Sequence, residues 1–178
     1  PGQVGEGDLP PVDMQAAQLG AAMELREDLA GIEDLRRIEG ALHPDLLLEG
    51  SGSFVPDDAP ALDDGAPPPG DVATVEPDDP TWADEYAPSE IVAAPGRHWF
   101  GVVDGRGRVG LSFTEWPDPA WAGWHALVVT SRAARPGHLA ALRRRGIPYL
   151  VAGDGPVDLR AARDRLAVGF GVRTLVVT

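Results

Sequence analysis

The sequence predicts an α/β domain built on a mainly parallel sheet covered by helices on both faces. Three observations predict it. Short uninterrupted apolar runs recur at Asp45–Glu49 (DLLLE), Ala126–Val129 (ALVV), Tyr149–Ala152 (YLVA) and Thr174–Val177 (TLVV). Segments of helical periodicity separate the later runs, and the first three lead into Gly- or Ser/Thr-containing turns. Strands buried on both faces read as continuous apolar runs rather than as alternation, and strand–helix alternation is the mark of a parallel sheet.

Taken in order, residues 1–13 (PGQVGEGDLPPVD) are rich in Gly and Pro and read as a disordered arm. From Met14 to Leu42, apolar residues at Leu19, Met23, Ile32, Leu35, Ile38 and Leu42 follow helical spacing, with Gly31 dividing two helices and Pro44 ending the second. The run at 45–49 is a buried strand entering a glycine loop, Gly50-Ser51-Gly52-Ser53. Residues 56–96 form a long, acidic, Pro-rich connection of mostly irregular structure inside a single domain spanning 14–178. Arg97–Val103 is expected as a strand, Asp104-Gly105-Arg106-Gly107 as a hairpin turn, and Val109–Phe113 as its partner strand. A loop with Trp116, Trp121 and Trp124 follows. Beyond it come a helix at Pro136–Arg145 closed by Gly146, a helix at Leu159–Leu166, and the three remaining strands.

Composition bounds the function. The chain has 178 residues, 43% hydrophobic and 24% charged, enough for one sizeable core. It has no cysteine, which excludes thiol nucleophiles, disulfides and thiolate metal sites. His43, His98, His125 and His138 show no short metal-ligand spacing, so no metal is expected. No apolar stretch is long enough to span a bilayer, and with no leader in view a cytoplasmic location is expected. The net charge of −13 is uneven: residues 1–90 carry 22 acidic and 3 basic side chains, residues 91–178 carry 6 and 12, and every basic residue is Arg. Overall acidity argues against a nucleic-acid partner, while the basic second half suits one small anionic ligand.

In an open α/β sheet, ligands bind beyond the carboxyl ends of the strands. Three strand ends carry suitable residues. Gly50, Ser51, Gly52 and Ser53 combine close backbone approach with amides and hydroxyls that can hold phosphate oxygens, or form an ordinary turn. Thr130, Ser131 and Arg132 combine two hydroxyls with a guanidinium, a receptor for a phosphate monoester such as the 2′-phosphate of NADP, or a helix-leading turn with one solvated Arg. Ala152 and Gly153, ahead of Asp154-Gly155, shape an adenine pocket or turn the chain, with the turn favoured. The expected geometry is that the tips of three neighbouring parallel strands converge on one phosphorylated coenzyme. The three tryptophans either cover a flat ring or form a satellite core or subunit contact, which makes a homodimer plausible. No Ser/His/Asp order, paired-carboxylate signature or Walker loop is present, and no side chain is assigned as a catalytic residue. That absence is compatible with hydride transfer, where the cofactor carries the reactive atom.

The stretches HWFGVVDGRGRV, WAGWHALVVTSR, LRRRGIPYLVAG and VDLRAARDRL followed by FGVRTLVV, preceded by DLRRIEGALHPDLLLEGSGSF, resemble in order the reductase domain of bacterial bifunctional riboflavin-biosynthesis deaminase-reductases and their stand-alone relatives. The resemblance covers about two-thirds of the chain. It implies a three-layer α/β/α, dihydrofolate-reductase-like fold with a mixed, mainly parallel sheet, and NADPH as hydride donor to a small-molecule substrate. Family members in the pathway reduce the ribosyl group of a pyrimidine ribosylamino phosphate. Carried over by residue, Gly50–Ser53 match the loop near the nicotinamide side, Thr130–Arg132 the loop near the adenosine phosphate, and Ala152 and Gly153 the next strand end. Two family features are missing: an opening strand with a Ser-Leu-Asp-Gly-type motif, and a glycine-rich pyrophosphate loop after the last strand. The expectation is therefore a copy incomplete at both ends and inactive by itself. Two further readings stand beside the reductase: a dinucleotide-binding or interaction module that has lost catalysis, and a purely structural partner.

Overall fold

The computed structural model describes residues 40, 43–62, 84–117 and 119–178. The arm at 1–13, the two helices expected between Met14 and Leu42 (Gly40 apart) and the middle of the 56–96 connection lie outside these residues. The described strands are β1 (Leu46–Gly50), β2 (Glu85–Tyr86), β3 (His98–Val103), β4 (Trp124–Thr130), β5 (Tyr149–Val151) and β6 (Leu175–Val177). The described helices are α1 (Ser89–Val92), α2 (Pro136–Arg144) and α3 (Leu159–Gly169).

The strands form one mixed, mostly parallel sheet in the order β2-β5-β4-β3-β1-β6. Every pairing is parallel except the edge pair β2–β5. The register sets Gly50 beside Val103, Val103 beside Val129, and Thr130 beside Val151, so these strands end along one edge. Ala126, Leu127, Val128 and Val129 are fully buried, as a central parallel strand sandwiched on both faces requires.

Alternation along each strand sorts the core into two layers. Leu46, Leu48, Trp99, Leu127, Val129 and Leu150 face one way and bury Ala162 and Leu166 of α3, with Ile91 and Val92 of α1 alongside. Val102, Ala126, Val128, Tyr149 and Val151 face the other way and bury Leu139 and Leu142 of α2. Helices thus lie on both faces, as expected. The helix ends match their sequence signals. Asp158 caps α3, its Oδ1 accepting from the amides of Arg160 and Ala161 at 3.0 Å each, and Gly146 takes φ +70° after α2.

Two expectations are corrected. Val109–Phe113 is not a strand. Both edges of β3 are occupied by β1 and β4, so no edge is left for a hairpin partner, and Val109 and Leu111 bury as irregular chain against the α2 layer. Within the 56–96 connection the described residues include two short elements, β2 and α1. Trp124 opens β4 instead of lying in the preceding loop, and with Trp116 and Trp121 it packs on Phe100 and Leu47 as a third buried cluster. The three indoles are 8%, 4% and 3% exposed, which makes them core and removes them as a ring cover or a subunit contact.

Candidate functional site

The candidate site lies along the carboxyl edge of the sheet. Gly50 ends β1 and the chain turns at once through a single 3-10 turn, Ser51–Ser53. A β-carbon added at Gly50 or Gly52 would meet nothing within 4 Å, so this loop faces open space. Sterically, these glycines leave room above the backbone instead of relieving a clash within the fold.

An arginine holds that loop. Arg108 is 5% exposed, and its Nη2 donates to Ser51 Oγ at 2.9 Å. Its Nη1 donates to the carbonyls of Pro56 (2.9 Å) and Asp57 (2.8 Å). Arg108 is itself placed by Asp104, a fully buried carboxylate directly after β3. Asp104 Oδ2 accepts from the amides of Arg108 and Val109 at 2.6 Å each. The segment read as a hairpin turn is therefore a side-chain-capped loop that ties β3 to the tip of β1.

The tip of β4 takes the second of its two sequence readings, a helix-leading turn with one solvated Arg. Thr130 and Ser131 are fully buried. Thr130 Oγ1 donates to the carbonyl of Asp104 at 2.7 Å, and Ser131 Oγ donates to that of Gly105 at 2.9 Å. Both hydroxyl protons thus secure the 104–105 loop, and of the three residues only Arg132 projects to the surface. Its side chain is 54% exposed, with Nη2 at 2.6 Å from Asp84 Oδ1 and Nε at 3.5 Å from Asp154 Oδ1.

The tip of β5 is tied to that of β4 by backbone: the Ala152 amide donates to the Thr130 carbonyl at 2.8 Å, and the Arg132 amide to the Gly153 carbonyl at 2.9 Å. Gly153 has φ +96°, and a β-carbon there would lie 2.5 Å from the Pro156 carbonyl oxygen. Here glycine is required by the turn, in line with the favoured reading of this loop. The structure brings Gly50–Ser53, Thr130–Arg132 and Ala152–Gly153 to one edge. It also corrects the expectation of three neighbouring strands, because β3 stands between β1 and β4. The residues that sequence reasoning missed, Asp104 and Arg108, come from the segment directly after that intervening strand. A buried Arg and a surface Arg look alike in sequence.

The opposite edge of the sheet carries a cavity of about 410 Å³ lined by His43, Asp45, Arg97, His98 and Arg173, among others. Its cations serve the fold. The Arg97 guanidinium donates to the carbonyls of Val92 and Phe170, at the ends of α1 and α3. The Asp45 carboxylate accepts from the amides of Arg173 (2.8 Å) and Thr174 (2.9 Å), fastening β6 to β1. Burial pushes the Asp45 carboxyl up, but these amides and the Arg173 guanidinium outweigh it and hold the group below its usual value. Among the described residues no group of three His, Cys, Asp or Glu is placed to hold a metal ion, and no helix is long and apolar enough to cross a membrane.

Comparison of the sequence with protein-family models and with curated proteins finds no match.

Proposed function

We propose that this chain is the dinucleotide-binding part of an NADPH-dependent reductase of the dihydrofolate-reductase-like fold, transferring hydride to a small substrate. The observation that carries the reading is the shared edge: an open Gly50–Ser53 loop, an exposed Arg132 and the Gly153 turn all end parallel strands on the same side of the sheet. In this reading the nicotinamide end lies at the tip of β1. Arg132 receives the 2′-phosphate, and Thr130, Ser131, Ala152 and Gly153 shape the ledge between them.

The test is a fluorescence titration with NADPH. Saturable binding is expected, weakened about tenfold by Arg132→Ala, as loss of a charged hydrogen bond of roughly 1.4 kcal/mol requires. Unchanged affinity in that variant removes the phosphate role of Arg132.

One observation favours a second reading. Arg132 already meets Asp84 at 2.6 Å, and the hydroxyls of Thr130 and Ser131 donate inward. A module that retains the fold and binds a dinucleotide or a partner without catalysis fits this arrangement. NADPH binding with no oxidation in the presence of pyrimidine or pterin substrates, measured on a version of the chain supplied with the opening strand and the pyrophosphate loop, decides for that module.

A further inference from the structure

Of the two guanidiniums at the cavity opposite the candidate coenzyme edge, the fold uses one and leaves the other over. That of Arg97 is committed to the carbonyls of Val92 and Phe170 and lies over the Trp99 ring at 5.3 Å. Gly171, with φ +66°, makes room for it, since a β-carbon there would stand 2.6 Å from Arg97 Nη2. Arg173 differs. It serves the fold through its backbone amide, which donates to Asp45 Oδ2. Its side chain is 87% exposed and reaches Asp45 Oδ1 only at 3.4 Å, a contact that holds the guanidinium weakly. The cavity measures about 410 Å³, within the range of roughly 300–1,000 Å³ common to small-molecule sites. Its charged wall sets Arg97 and Arg173 against Asp45, with the imidazoles of His43 and His98 beside them. Two cations against one carboxylate leave one positive charge, and the amides that hold Asp45 below its usual value keep it ionised.

We propose that this cavity is a second ligand site, taking a small organic molecule that bears a single carboxylate, with Arg173 as its anchor. The planar fork of a guanidinium matches the two oxygens of a carboxylate. The surplus of one positive charge selects a monoanion. A phosphate monoester, or a dinucleotide with several negative charges, brings further charge against the fixed carboxylate of Asp45 and is disfavoured. The site lies at the far edge of the sheet from Gly50–Ser53 and Arg132, so it stands independently of the reductase reading.

The test is a backbone amide NMR titration of the full chain with benzoate at constant ionic strength. Benzamide serves as the neutral isostere and inorganic phosphate as the competing anion. Saturable shifts at Gly96, Gly171 and Arg173 are expected with benzoate alone. Arg173→Gln is expected to weaken benzoate at least about tenfold, as loss of charged hydrogen bonds requires. Its melting temperature is expected to stay unchanged, because the backbone amide still fastens β6 to Asp45. Arg163→Gln, which removes an exposed guanidinium from α3, is expected to leave benzoate binding as it is. Equal affinity in wild type and Arg173→Gln, an equal response to benzamide or phosphate, or no saturable shift with benzoate overturns the proposal. Should Arg173→Gln fail to fold, Arg173→Lys, which keeps the charge and loses the fork, decides: weaker benzoate binding supports the anchor role, and undiminished binding overturns it.

Discussion

Arg108 Nη2 lies 2.9 Å from Ser51 Oγ, so a side chain from the segment after β3 holds the loop after β1. Since Arg108 also donates to the carbonyls of Pro56 and Asp57, one buried guanidinium fixes the whole run from 51 to 57. Replacing it by Ala leaves those acceptors unsatisfied and opens a cavity. A loss of about 2–4 kcal/mol in urea unfolding is expected for Arg108→Ala, against about 1 kcal/mol for Ser51→Ala.

The two glycine loops are expected to answer differently to the same substitution. At Gly153, φ is +96° and a β-carbon would stand 2.5 Å from the Pro156 carbonyl oxygen, so Gly153→Ala loses about 2 kcal/mol or more. At Gly52 the space is open, and Gly52→Ala changes stability by less than about 1 kcal/mol while projecting a methyl group towards the candidate ligand. Thermal melts of the two variants, followed by NADPH titration of Gly52→Ala, check both halves.

Asp45 predicts an acid limb in the stability curve. Its carboxyl is held below the usual 3.8 in the folded protein, so its contribution is complete above that value and fades as pH falls through the lower, folded-state value. Asp45→Asn is expected to be less stable than wild type at neutral pH, with the gap closing below about pH 4. Urea midpoints measured from pH 7 down to pH 2.5 give the comparison.

Asp84 and Arg132 form an exposed pair at 2.6 Å, with side chains 37% and 54% exposed. Exposed pairs contribute little, so Asp84→Asn is expected to shift stability by less than about 1 kcal/mol. In the proposed site the same carboxylate competes with a bound phosphate for the guanidinium. The variant is therefore expected to bind NADPH about two- to fivefold more tightly, with the gain shrinking as salt is raised.

The parts of the fold legible in the sequence are those where burial imposes a pattern. The run 126–129 is apolar throughout because both its faces are covered, and Gly146 follows α2 because the chain must turn there with positive φ. The run Val109, Leu111 and Phe113 carries the alternation of a strand after an Asp-Gly turn, yet sheet order decides its fate: β1 and β4 already hold both edges of β3. Pairings so distant in sequence leave no local mark. The same holds at the site. Gly50–Ser53 were visible as a loop because glycine and serine are unusual at a strand end. Arg108 gave no such sign, because only burial distinguishes it from a solvated charge.

The central claim is that one edge of the sheet receives the coenzyme, and backbone amide NMR during NADPH titration tests it most directly. The predicted result is a set of saturable shifts at Gly50, Ser51, Gly52, Arg132 and Gly153, with Gly96, Gly171 and Arg173 at the opposite edge unmoved. Shifts confined to that opposite edge, or no saturable shifts, would contradict it.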